Sequence, residues 1–158
     1  MNKFLTATLM LFALSEISYS GESNDWTRVE GEQNGMPISI RLRQKLPSEI
    51  DIEKFPYLVI VSWEYTPANE SGFPVSEVVG LMGEVENSFS DSIESNAYLA
   101  ATFLGNGIRE WYVYAHDVAK LESDFNKATA KFNPLPIKIK ASRDVGWRSY
   151  FRLLPDRQ

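Results

Sequence analysis

The chain contains no cysteine and one histidine, His116, among its 158 residues. Without thiols it forms no disulfide, offers no thiolate nucleophile, builds no zinc site on sulfur and carries no lipid on an N-terminal cysteine. A lone imidazole excludes a histidine metal triad, so any metal would rest on carboxylates and carbonyls, and no metal or cofactor is expected. Basic residues are also scarce, 16 Lys plus Arg against 21 Asp plus Glu for a net charge of −5. That balance argues against a nucleic-acid partner, whose binding depends on neutralising phosphates. A spanning helix needs roughly 20 apolar residues, whereas the main apolar run, residues 4–14, has eleven and Glu16 follows it closely.

What remains is an ordinary globular composition, 44% hydrophobic and 23% charged, enough for one domain with its own core. The N-terminal apolar run follows Lys3, and Ser18 and Ser20 place small residues at −3 and −1 of a cleavage after Ser20. Residues 1–20 therefore read as a secretory signal peptide, and the expected location is periplasmic or secreted, with no membrane anchor once the leader is cut. In that oxidising setting a cysteine-free chain has to be stabilised by its core alone.

Trp26–Gln33 and Met36–Arg43 flank Asn34-Gly35, the dipeptide that tolerates the positive φ angles of a two-residue hairpin turn. In the second arm Ile38, Ile40 and Leu42 alternate with Ser39, Arg41 and Arg43, predicting one buried and one wet face. Residues 57–65, rich in β-branched and aromatic side chains, predict a strand bracketed by Pro56 and Pro67. The period then changes. Val75, Val78, Val79, Met82, Val85 and Phe89 form a helical stripe with Pro74 at its start. Residues 97–104 and 108–116 predict two strands around a second Asn-Gly turn, Asn106-Gly107. Asp117 is the expected N-cap of another helix with Val118, Leu121, Phe125, Ala128 and Phe132 inward, stopped by Asn133-Pro134. A strand over 135–141 buries Ile137 and Ile139, and Trp147, Tyr150, Phe151 and Leu154 predict a short terminal helix. Strand-helix-strand twice over, joined by a tight hairpin, predicts an α+β fold: a ferredoxin-like split βαβ antiparallel sheet with two helices on one face. An N-terminal β-hairpin and a short C-terminal helix are added to it, in a single domain over residues 21–158.

Several strings together resemble one bacterial family. They are Trp26, Gly35-Met36-Pro37 with Ile40-Arg41-Leu42-Arg43, Val61-Ser62-Trp63-Glu64-Tyr65, Gly72-Phe73-Pro74, Gly107-Ile108-Arg109-Glu110-Trp111-Tyr112-Val113-Tyr114, and Asp144 ahead of Trp147 and Tyr150. The family is the domain of unknown function numbered 695. The Arg-Glu-Trp strand and the closing Asp and Trp cluster are the most specific parts; Val145 departs from the proline expected after that aspartate. The resemblance implies a fold class and no activity.

Candidates for chemistry are few. His116 beside Asp117 could form a general base or nucleophile-activating pair, but neighbours in a strand point to opposite faces and Asp117 is better used as a cap. Glu84 and Glu86, two apart on a helix, do not face each other and read as a solvated face. Gly105-Asn106-Gly107 is explained by its turn, and Asn69-Glu70-Ser71 is a glycosylation sequon that a bacterial source would leave idle. The strand over 108–116 turns Trp111, Val113 and Ala115 toward the helices and Glu110, Tyr112, Tyr114 and His116 away from them. With Lys138 and Lys140 on the same side, this predicts a binding face made of Tyr112, Tyr114, His116, Lys138 and Lys140; the alternative is that the N-terminal hairpin or a dimer mate covers the face and makes it core. The expected function is a non-enzymatic exported module that recognises an envelope or extracellular protein through that face. The alternative is a small periplasmic hydrolase using His116 or a carboxylate.

Overall fold

The computed structural model describes residues 19–22, 26–43, 46, 50–93 and 95–154. The chain is a mixed α+β domain built on one antiparallel sheet. Its strands are β1 (Tyr19–Glu22), β2 (Trp26–Gln33), β3 (Met36–Arg43), β4 (Tyr57–Glu64), β5 (Ala97–Gly105), β6 (Ile108–Ala115) and β7 (Ile137–Arg143), and its helices are α1 (Ser76–Ile93), α2 (Val118–Thr129) and α3 (Arg148–Leu153). The strands lie in the order β1-β2-β3-β5-β6-β4-β7. Residues 1–18 of the expected leader lie outside the described residues. Its last two, Tyr19 and Ser20, pair with Val29 and Arg28, so the expected cleavage falls inside β1.

Both Asn-Gly turns form as expected: Asn34 and Gly35 have φ of 53° and 77°, Asn106 and Gly107 of 52° and 78°, the signs a two-residue turn needs to match strand twist. Asp117 caps α2 by accepting from Lys120 N at 3.0 Å. Strand β7 starts at Ile137, opposite Trp63, two residues later than expected. Pro134 and Pro136 supply no N–H to a ladder, so pairing waits until the second of them is passed. Helix α2 ends at Thr129, whose hydroxyl turns back to Phe125 O at 2.9 Å, and Phe132 follows in a separate turn closed by its own N–H to Thr129 O.

Helices α1 and α2 lie side by side on one face of β4, β5 and β6. There Val59, Val61, Trp63, Trp111 and Val113 meet Met82, Val85, Phe89, Leu121 and Phe125. Phe89 stands edge-on to Trp111 at 5.5 Å and 86°, a favourable aromatic arrangement. Among the described residues no helix is long and apolar enough to cross a membrane.

The reverse face is apolar as well. At the hairpin end Val29, Ile38, Ile40, Leu42, Ala101 and Phe103 form one cluster. Toward the other end Leu58, Ala100 and Tyr114 are covered by Trp147 and Tyr150, with Ile52 and Phe55 packed beside them. Asp144 fixes this cover: its carboxylate accepts from Arg148 N at 3.1 Å and Ser149 N at 3.0 Å, and Trp147 adopts a left-handed φ of 53° just before α3.

Candidate functional site

The expected binding face is only partly assembled. Strand register puts Tyr112, Ile60 and Lys140 in one row across β6, β4 and β7, and Glu110, Ser62 and Lys138 in the next. Tyr112, Lys138 and Lys140 therefore share the reverse face. Tyr114, however, is 1% exposed. Its ring stacks on Trp147 at 4.1 Å and 9°, and its hydroxyl donates to Asp144 Oδ2 at 2.7 Å while accepting from Tyr150 N at 3.2 Å. The open tyrosine platform is thus corrected to a covered one. Leu58, Ala100 and Tyr114 present too much apolar area to leave in water, and the C-terminal aromatic segment buries it.

Tyr112 is half-buried and donates to Glu110 Oε2 at 2.6 Å; burial and the adjacent carboxylate both push its phenol well above the usual range. Lys138 is exposed and paired with Glu64 at 2.6 Å. Lys140 is exposed. His116 is exposed at the end of β6, with Nδ1 2.8 Å from the Lys54 carbonyl, so that nitrogen donates and is engaged with the backbone. Asp117 points into its own helix turn, and the two do not act as a pair.

A different site lies on the helix side of the sheet, where α1 overhangs β3, β5 and β6. In β3 Ile38, Ile40 and Leu42 are buried toward the reverse face, which sends Ser39 and Arg41 to the helix side. Arg41 lies opposite Thr102 of β5, and Thr102 opposite Trp111 of β6. Arg109 shares the helix-side face with Trp111, two residues apart in β6. From above, Val79, Met82, Gly83 and Glu86 descend one edge of α1 at helical spacing. Together these residues enclose a cleft of about 350 Å³.

The expected assignment of α1 changes accordingly. Val75 and Val79 are 47% and 44% exposed whereas Glu86 is 8% exposed, so Glu86 is not part of a solvated face; Glu84 is. The reason is positional. Val75, Val79 and Glu86 lie on the stripe edge that looks over β3 and β5, beyond the cover of α2, where an open cleft replaces close packing. Polar partners already wait there.

Glu86 is held by three donors: Arg41 Nη1 at 3.0 Å, Arg109 Nη2 at 2.5 Å and Trp111 Nε1 at 2.7 Å. Burial alone would raise its pKa, but the charges of Arg109 and Arg41 and the indole hydrogen bond outweigh that and hold the carboxyl below its usual range. Arg109 is almost buried, its side chain 11% exposed, while Arg41 keeps 26% of its side chain open. Arg41 also lies over the Trp26 ring at 4.8 Å. The Nε atoms of Arg41 and Arg109 are buried with no acceptor among the described residues.

A carboxylate kept ionised between two guanidiniums is a poor proton acceptor near neutral pH. The guanidiniums, by contrast, form a rigid donor array with one protein carboxylate between them, an arrangement suited to an oxyanion. Among the described residues no group of three or more His, Asp or Glu side chains is placed to hold a metal ion.

Sequence reasoning reached Arg109 and Trp111 as part of a distinctive string, without assigning them a site. The available signal was parity. Arg109 belongs to the set 109, 111, 113, 115 that faces the helices, and a charge on a buried strand face requires a counter-charge from the element packed on it. A family model described as "Family of unknown function (DUF695)" matches residues 24–154. No curated protein and no solved structure matches the chain.

Proposed function

We propose that this chain, which belongs to the family of unknown function DUF695, is an exported, non-enzymatic module that binds its ligand in the cleft between α1 and strands β3, β5 and β6. In this reading the leader directs it to the periplasm or the exterior, as expected from Lys3 and the apolar run behind it. The platform is the ferredoxin-like unit β4-α1-β5-β6-α2-β7. In support, its strands lie in the order β5-β6-β4-β7, the split βαβ pattern with both helices on one face.

One observation carries the functional reading: Arg41 and Arg109 converge on the single carboxylate of Glu86 in the wall of a cleft of about 350 Å³, within the roughly 300–1,000 Å³ typical of ligand sites. The tyrosine face is set aside because Tyr114 is covered. Hydrolysis is set aside because Glu86 is held ionised and Asp117, engaged in capping its own helix, does not pair with His116.

The test is a thermal-shift panel of small anions, neutral sugars and amines on the purified protein. Anions are expected to raise the melting temperature, Arg41→Gln to abolish that rise, and Lys138→Ala to leave it intact. Stabilisation by neutral compounds alone, or an anion effect that survives Arg41→Gln and is lost in Lys138→Ala, would refute the assignment of the cleft.

A further inference from the structure

We infer that the ligand of this cleft is a small monocarboxylate with an apolar body, its head on Arg41 and Arg109 and its tail along Val79, Gly83 and Leu104. This rests on the cleft being the binding site and adds the class of molecule that fits it.

The head group follows from charge. Among the described residues Arg41 and Arg109 face one acid, Glu86, which leaves one positive charge of that pair uncompensated in a partly desolvated wall. The balance is taken over the two guanidiniums bonded to Glu86; Arg28 also lines the cleft and has interactions of its own. A monoanion closes the balance, whereas a dianion would set surplus negative charge against the buried Glu86 carboxylate. Arg41 can receive it: its side chain is 26% exposed and its Nε has no acceptor among the described residues. Ser39 and Thr102 beside it add hydroxyls to the same wall.

The body follows from shape. Val79 and Gly83, one turn apart on α1, face the cleft with Met82 and Leu104. Val79 is 44% exposed, and Val75, a further turn back, is 47% exposed. A side chain added at Gly83 would meet nothing within 4 Å. The helix therefore offers an apolar, unfilled track that starts beside the guanidiniums. A purely polar anion would leave that track wet; an apolar chain would dry it.

Calorimetric titration of the full protein with octanoate, acetate, octanol, octyl phosphate and inorganic phosphate tests the inference. Octanoate is expected to bind about sixtyfold more tightly than acetate if about three methylenes are buried. Arg41→Gln should weaken octanoate by about tenfold or more, the loss of one charge-assisted contact. Gly83→Leu, which fills the track and replaces a helical glycine by a better helix former, should remove the advantage of octanoate over acetate while the fold is retained. Octanol binding as tightly as octanoate, acetate matching octanoate, or octyl phosphate binding more tightly than octanoate would each overturn the monocarboxylate assignment. If inorganic phosphate alone binds and depends on Arg41, the ligand class falls and the cleft stands; if no probe binds, both fall.

Discussion

Replacing Glu86 by Gln keeps the shape of the side chain and removes its charge, so it isolates what the carboxylate does for the fold. In the wild type two oxygens accept from Arg41, Arg109 and Trp111. In Glu86→Gln one oxygen becomes an NH₂ group that faces donors, and Arg109, 89% buried by its side-chain exposure of 11%, is left without a counter-charge. Removing one partner of a buried pair costs about 3–5 kcal/mol. Arg41 is 26% exposed and can be solvated from the cleft, which places the expected loss near the lower end, about 3 kcal/mol. At this chain length that corresponds to a drop of roughly 6–12 °C in melting temperature.

The same substitution predicts a pH dependence. Glu86 is lowered from its ordinary value near 4.5, so on acidification the unfolded chain takes up a proton there before the folded chain does. Stability contributed by Glu86 is therefore fully present above the ordinary value and is lost as pH falls through the lower, folded one. The difference in unfolding free energy between wild type and Glu86→Gln should be largest at pH 7 and shrink steadily below about pH 4.5. Urea unfolding followed by tryptophan fluorescence suits the measurement because Trp63 and Trp111 are core residues. A variant as stable as the wild type at pH 7, or a difference that stays flat from pH 7 to about pH 3, would refute the argument.

Three further substitutions probe the rest of the architecture. Trp147→Ala removes a fully buried ring stacked on Tyr114 at 4.1 Å and should cost about 3–5 kcal/mol in urea unfolding; a loss under about 1 kcal/mol would mean that the C-terminal segment does not seal the reverse face. Gly105→Ala places a Cβ 2.8 Å from the Pro37 carbonyl oxygen and 3.1 Å from Ile38 Cα, at a φ of +150°. It should destabilise by about 2 kcal/mol or more. Gly83→Ala, in open space on α1, should instead stabilise the fold by up to about 1 kcal/mol of helix propensity, read as a small rise in melting temperature.

Local chemistry determined much of this protein. Both Asn-Gly turns, the Asp117 cap, the alternation in β3 and the helical spacing of Met82, Val85 and Phe89 are short-range signals, set by backbone sterics and by which side chains prefer water. They were legible because each depends on residues within a few positions of one another. The resemblance carried by the Arg109 to Tyr114 string was legible too, and the family match bears it out.

Tertiary structure alone decided which faces stay open. Tyr112 and Tyr114 alternate as a solvent-facing strand would, yet what lies over Tyr114 is Trp147, contributed from more than thirty positions away. Glu86 reads as one more surface acid until α1 is laid across β3 and β6, where Arg41, 45 residues distant, and Arg109, 23 residues distant, surround it. A charge and its partner have no fixed sequence spacing; only the packing of one element on another brings them within hydrogen-bond reach and withdraws the water that would otherwise solvate them.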